Sequence, residues 1–321
     1  MTWLVTGGAG YIGAHVVRAF LAEGMDVAVV DDLSTGHRAF VPERVPFLEA
    51  DVNDVEALAA FMAERSVAGV VHVAGFKYAG VSVSEPLRTY RTNVAGTAAV
   101  LQAMEVAGVE AIVFSSSAAV YGTPDVDTVT EDTPTAPESP YGESKLIGEW
   151  LLADQDRARG IRHTSLRYFN VVGSGASQLP DTSPHNLFPL VFTALAEGRV
   201  PRINGDDYPT EDGTCVRDYV HVADLAAAHV TAARRLAAGK ELRPVYNLGS
   251  GTGTSVRQIV EAIVAQTGAD VLPEVHPRRP GDPARIVADG SAAAADLGWA
   301  MRHSLAQMVS SAWAAHSAAR G

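Results

Sequence analysis

Short apolar runs alternate with helical stretches through the first half of the chain. Trp3 to Thr6 reads as a β-strand, and a glycine-rich turn follows it. Ile12, Val16, Val17, Phe20 and Leu21 then recur at a spacing that puts them on one face of a helix. Val27 to Val30 is a second β-branched run and Phe47-Leu48 a weaker third, while Val70 to Val73 and Ile112 to Phe114 are of the fully buried type. Between these runs, 54–65 and 86–107 carry helical spacing. Such alternation calls for parallel strands joined by right-handed crossovers, with helices covering both faces of the sheet.

A polar, proline-bearing stretch ends at Ser139-Pro140, which predicts an N-cap and first helical position for a helix over 140–157. His163 to Leu166 is a further strand. Beyond about residue 170 the pattern loosens, with helices expected at 186–197, 223–238, 255–267 and 304–319 and short strands near Ile203 and Tyr246. The expected class is α/β: a doubly wound parallel sheet of the Rossmann type over 1–170, then a smaller α+β C-terminal domain over 171–321, with some exchange of chain between them.

Composition narrows the partners. The chain has 321 residues, 47% hydrophobic and 19% charged, which is ordinary for a folded protein. With 25 basic and 37 acidic groups its net charge is −12, so nucleic acid and anionic membrane surfaces are not expected partners. Cys215 is the sole cysteine, which excludes an internal disulfide and a cysteine-rich metal site. The ten histidines show no metal-ligand spacing, so no metal is expected. A strand from the second residue leaves no room for a signal peptide, and no apolar run approaches the ~18 residues of a membrane span. The expectation is a soluble, cytoplasmic protein.

The turn after the first strand reads Gly7-Gly8-Ala9-Gly10-Tyr11-Ile12-Gly13. Glycines at 7, 10 and 13 let the backbone turn tightly and approach a pyrophosphate seated on the helix N-terminus. Asp31 ends the second strand 18 positions after Gly13, where a carboxylate bonds a ribose 2′-hydroxyl and repels a 2′-phosphate. Asp32 adds to that repulsion, so NAD is expected rather than NADP. Asp51-Val52 closes the third strand, where an adenine would lie.

Tyr141 and Lys145 stand four apart on the predicted helix and therefore share a face. Nine tyrosines and three lysines in 321 residues would give such a pair about 0.08 times by chance. A phenol is a poor base at neutral pH, but a neighbouring ammonium, an oxidised nicotinamide and a helix N-terminus all favour its ionised form. Tyr141 is thus the candidate general base. Ser115-Ser116-Ser117 leaves the carboxyl end of a core strand, and Ser117 is the candidate third member.

Taken together, these residues resemble the extended short-chain dehydrogenases/reductases and, segment by segment, the UDP-glucose 4-epimerase family. Leu4 to Gly13 is similar to that family's opening, Ala74-Gly75-Phe76-Lys77 to its A-G-x-K loop, and Phe114 to Gly122 to its serine loop. Ser139 to Lys145 carries the Tyr–Lys pair, and Leu166 to Asn170 resembles the stretch holding cofactor and substrate phosphates. The segment Asp207 to Tyr219 is the most specific match, and Pro277 to Asp282 is similar to the family's nucleotide clamp. The resemblance spans residues 3 to about 300.

It implies an NAD-dependent reversible epimerisation at C4 of a UDP-hexose, through a transient 4-keto sugar. It also implies cofactor contacts from Ala74, Gly75, Lys77, Asn93, Ser115 and Phe169. Lys77, Ser117, Tyr141, Asn170, Asn186, Arg217, Arg279 and Asp282 would face the UDP-sugar. A homodimer is implied through 86–107 and 140–157, with Leu87, Tyr90, Leu101, Leu146, Trp150 and Leu151 serving either that seam or the core. Val171, Glu143, Asn204 and Ile286 depart from the family's usual residues. Asn204 stands where an apolar residue often borders uracil, and Ile286 where side-chain size governs room for an N-acetyl group.

A 4,6-dehydratase on the same scaffold would need acid/base groups where this chain has Ala118-Ala119. A decarboxylase, an epimerase of another nucleotide sugar and a non-catalytic NAD-sensing regulator stay open as alternatives.

Overall fold

A computed structural model describes residues 1–278 and 283–320. Seven strands form one parallel sheet: β1 (Thr2–Thr6), β2 (Asp26–Asp31), β3 (Phe47–Glu49), β4 (Val67–His72), β5 (Ala111–Ser117), β6 (Arg162–Tyr168) and β7 (Val245–Leu248), in the order β7-β6-β5-β4-β1-β2-β3. The β-branched runs form these strands because side chains on both sheet faces are buried. Leu4, Ala28, Val30, Val70 and Ile112 enter one apolar cluster, and Trp3, Val5, Val27, Val29, Val71 and Val113 the other.

Helix α1 (Tyr11–Ala22) covers one face, joined there by α4 (Val222–Ala237), once α2 (Pro140–Arg159) and α3 (Leu187–Ala196) are counted along the chain. α2 begins as its sequence dictates. Ser139 accepts the Gly142 amide proton, Pro140 takes the first helical position, and Gly160 at φ +69° ends the helix.

The strand near Tyr246 and the helix at 223–238, both late in the chain, join the large sheet: β7 adds to its edge beside β6 and α4 packs on its face. Tyr246 and Leu248 are fully buried there, a placement that chain order alone does not give. The stretch 86–107 is helical but carries a π-type segment at Arg91–Ala95. Elements later in the chain build a third apolar cluster around Phe188, Phe192, Tyr219, Ile259, Ile263 and Val309. No helix among the described residues is long and apolar enough to cross a membrane.

Candidate active site

The sheet order reverses between β1 and β4: from β1 the chain steps outward to β2 and β3, from β4 the opposite way to β5, β6 and β7. Loops leaving the carboxyl ends of strands at such a point diverge and leave a crevice. Here the loop from Gly7 to Gly13 faces the loop from Val73 to Tyr78. Gly7 lies at φ +69°, and a Cβ on it would stand 2.7 Å from the Ala74 amide nitrogen. A Cβ on Gly13 would stand 2.0 Å from the Gly7 carbonyl oxygen. Only glycine permits this closure.

α1 starts with no side-chain cap and no acidic residue in its first turn, so its orphan amides and positive dipole end remain available to an anion. Asp31 is buried at the end of β2, where its two oxygens accept the amide protons of Ala9 and Leu33, each at 2.9 Å. Burial pushes its carboxyl pKa up, against the pull of those amide bonds.

The result is a cleft of about 250 Å³. Gly7, Gly10, Tyr11, Ile12, Gly13, Asp31, Asp32, Asp51, Val52, Ala74, Gly75 and Lys77 line it, together with Tyr141 and Lys145. Three residues read from the sequence as cofactor contacts do not. Asn93 is buried behind the wall, where its Oδ1 accepts from the Phe76 amide at 2.6 Å and its Nδ2 donates to the Phe76 carbonyl and to Ser144. Ser115 is fully buried, its hydroxyl 2.9 Å from His229 Nε2. Phe169 lines the neighbouring cleft instead. A short polar residue beside a binding loop can brace that loop or face its ligand, and spacing alone does not separate the two.

A second cleft of about 720 Å³ is lined by Lys77, Ser117, Tyr141, Asn170, Asn186 and Arg217. Arg279 and Asp282 lie outside the described residues. Arg217 is tied at Nη1 to the Pro283 carbonyl at 2.7 Å, and Asn186 donates from Nδ2 to Asp181 at 2.7 Å. Asn204 lines this cleft too, whereas Ile286 is buried behind it with Val120, Leu146 and Phe169. Sequence reasoning missed the α3 wall, formed by Leu187, Leu190, Val191 and Ala194. Their helical spacing was legible, but nothing in it says that the apolar face meets a cleft. It also missed Tyr168, at the carboxyl end of β6, and the arginines Arg199 and Arg202. Tyr168 closes a core strand, a signal that was there to use.

The two clefts meet where Tyr11, Ile12, Lys77, Tyr141 and Tyr168 line both. Ser117 hydrogen-bonds the Tyr141 phenol, which favours the ionised form, but burial outweighs it and raises the phenol pKa above the ordinary value. The expected lowering is therefore absent from the chain alone. Lys145 is buried one helical turn on, its Nζ 5.9 Å from the Tyr141 ring centre and donating to the Ser115 carbonyl at 2.8 Å. Burial brings its pKa down to about 8, with the Glu149 carboxylate pulling the other way. Glu149 is itself held by Ser116 at 2.5 Å and by a buried pair with Arg167 at 2.8 and 2.6 Å. Two nearby imidazoles, His72 and His229, are kept neutral by burial, with pKa values of about 3 and about 4. Among the described residues no cluster of His, Cys, Asp or Glu could hold a metal ion.

A glycine-cradled helix N-terminus, an acidic strand end and a Tyr–Ser pair beside a buried lysine define a dinucleotide-dependent enzyme of the short-chain dehydrogenase/reductase class. The chain belongs to the NAD dependent epimerase/dehydratase family, whose model matches residues 3–249. It is 44% identical over 99% of its length to the UDP-glucose 4-epimerase of Corynebacterium glutamicum, covering 96% of that protein. A UDP-glucose 4-epimerase from Stenotrophomonas maltophila, solved with NAD and formylated UDP-arabinopyranose, superposes with a TM-score of 0.94 at 40% identity, covering all of this chain and 99% of the other. The Bifidobacterium longum enzyme, solved with NAD+ and UDP, gives 0.91 at 37% identity, covering 99% and 98%. The cofactor is NAD, and the cleft between Gly7–Gly13 and Val73–Tyr78 fits it.

Proposed function

We propose that this protein interconverts UDP-hexoses at C4, UDP-glucose with UDP-galactose. The observation that carries the reading is that Tyr141 stands where the two clefts meet, lining both, with Ser117 hydrogen-bonded to its phenol and Lys145 one helical turn on. A hydroxyl brought there meets an acid/base group shared by both compartments.

In this reading Arg217, with Asn170 and Asn186, holds the UDP moiety, since an arginine offers charge-assisted and potentially bidentate bonds to a diphosphate. Arg279 and Asp282 are proposed to complete that grip. The C4 hydroxyl sits against Ser117 and Tyr141, and the Tyr141 phenolate takes its proton. Bound NAD supplies the oxidising centre that accepts the C4 hydride and gives it back. Lys145, held by the Ser115 carbonyl, keeps a positive charge near the phenol that favours its ionised form once the site is loaded. The larger cleft grips the nucleotide end and leaves the sugar free to present its other face, after which Tyr141 returns the proton.

Residues 1–170 with α4 and β7 are proposed as the NAD-binding part, and the rest of 171–321 as the UDP-sugar part. A homodimer is also proposed. Leu87 and Trp150 are 82% and 57% exposed on neighbouring helices and Tyr90 and Leu151 are partly buried, whereas Leu101 and Leu146 are buried in the single chain, so the first four are left for a seam. A cytoplasmic location fits the composition.

The test is direct. Purified, NAD-loaded protein is given UDP-galactose with no added cofactor, and UDP-glucose is sought. A folded, NAD-loaded protein that makes none overturns the assignment.

A further inference from the structure

Tyr141, Lys145 and Glu149 follow at four-residue intervals on α2 and so share one face of it. The end of β5 meets that face with three consecutive serines. Ser117 hydrogen-bonds the Tyr141 phenol, the Ser115 carbonyl accepts from Lys145 Nζ at 2.8 Å, and the Ser116 hydroxyl donates to Glu149 Oε1 at 2.5 Å. Tyr141 and Lys145 belong to the chemistry proposed above; Glu149 has no part in it.

Glu149 is buried and clamped. Arg167 stands opposite Ser116 in the pairing of β6 with β5, is buried too, and bonds the carboxylate through both Nε and Nη2. Its Nη1 donates to the Tyr121 hydroxyl at 2.9 Å, and Tyr121 donates to Asn247 Oδ1 on β7 at 2.7 Å. The carboxylate is thus tied to β5 and β6 directly and to β7 through Tyr121. Apolar side chains of similar size often join a helix to a sheet as well, since a buried ion pair loses hydration that its attraction barely returns. The charge itself has to be accounted for.

Around Lys145, Tyr141 lies on the same helix, His72 faces it from β4, and Lys77 and Tyr168 line the same cleft. Burial keeps His72 neutral and holds both phenols above their ordinary pKa. Burial also favours the neutral Lys145 amine, and the Glu149 carboxylate is the charge that opposes it.

We propose that Glu149 is a positioning residue for the reaction: clamped by Arg167 and Ser116, its carboxylate keeps the buried Lys145 charged near Tyr141. The inference rests on the Tyr141–Lys145 chemistry proposed above. It gives each of the three serines at the end of β5 a partner on the working face of α2.

The test reads the proton on Lys145 directly. The chain has three lysines, Lys77, Lys145 and Lys240, so the intact protein made with lysine carrying carbon-13 at Cε gives three side-chain signals to titrate by NMR. The signal missing from Lys145→Met is that of Lys145. In Glu149→Gln its midpoint should fall by on the order of one pH unit, the effect of losing a carboxylate about one helical turn away in a protein interior, while Lys77 and Lys240 stay where they are. In turnover, the rise of rate with pH should level off at a correspondingly lower pH, with a plateau about tenfold below the native one. A role confined to holding helix on sheet would lower the melting temperature and the whole rate curve without moving either titration. Glu149→Gln leaves Arg167 buried without its partner and can unfold the chain, so the deciding arm is Glu149→Gln combined with Arg167→Met, which removes both charges. This double variant should fold and still show Lys145 titrating below its native midpoint. A native midpoint in the folded double variant, or a double variant that cannot fold and so needs the pair for its structure, overturns the assignment. A native chain that makes no UDP-glucose contradicts the reaction, whereas an active native chain with an unmoved Lys145 signal in the variants contradicts only the role of Glu149.

Discussion

Replacing Tyr141 by phenylalanine removes one oxygen and leaves the rest of the site standing. The side chain is half-buried, and its hydroxyl is hydrogen-bonded by Ser117. Ser117 keeps its bond from the Ala119 amide at 3.2 Å, so no buried group loses its last partner. The stability cost is that of one hydrogen bond, about 1 kcal/mol or less, which is a shift of roughly 1–2 °C in Tm for a protein of this size. The glycine loop and Asp31 are untouched, the phenylalanine ring keeps its place in the cleft wall and the Lys145 bond to the Ser115 carbonyl stays, so bound cofactor should be retained. Turnover is different. Loss of a positioned general base costs about 100- to 10,000-fold, or about 2.7–5.5 kcal/mol of barrier.

The pH profile sharpens the test. Burial holds this phenol above its ordinary pKa, so its basic form grows as pH rises, and the rate should climb with pH in the native chain and flatten in the variant. Tyr168 lines both clefts as well, but burial and the nearby Tyr141 raise its pKa still further, so it is a poor substitute. The assay pairs thermal unfolding and NAD content with the UDP-galactose to UDP-glucose rate. A Tyr141→Phe chain that is folded, NAD-loaded and within threefold of full turnover would refute the scheme.

Gly13→Ala puts a Cβ 2.0 Å from the Gly7 carbonyl oxygen, so the loop must move; a loss on the order of 1–3 kcal/mol in stability and a fall in bound NAD should both appear in melting and absorbance measurements. Arg217→Ala should raise KM for the nucleotide sugar roughly 10- to 100-fold with a smaller change in kcat, and lysine should restore little of it. His72 and His229 stay neutral down to about pH 3 and 4 when folded but take up protons below about 6.5 when unfolded, so stability should fall as pH drops from 6.5 toward 4, by on the order of 3 kcal/mol for each group; urea titrations across that window would show it. Trp150→Glu should leave a folded monomer in sedimentation velocity if its exposed helix face is the dimer seam.

Local physics made much of this protein readable in one dimension. Period-two and continuous apolar runs mark β1 to β6, Ser139-Pro140 marks the start of α2, and glycines 7, 10 and 13 mark a backbone that must pass close to something. The four-residue spacing of Tyr141 and Lys145 is a property of any helix, so their shared face needed no structure. Other features depend on which distant segments meet. β7 joins the sheet from residue 245, Asn93 braces the Phe76 backbone, and the apolar face of α3 becomes a cleft wall. Burial is likewise a sum over the whole fold: it raises the Tyr141 phenol and lowers the Lys145 amine, against the local charge argument. Strand and helix spacing record which side of an element is apolar, but the desolvation of a buried charge is set by everything packed around it.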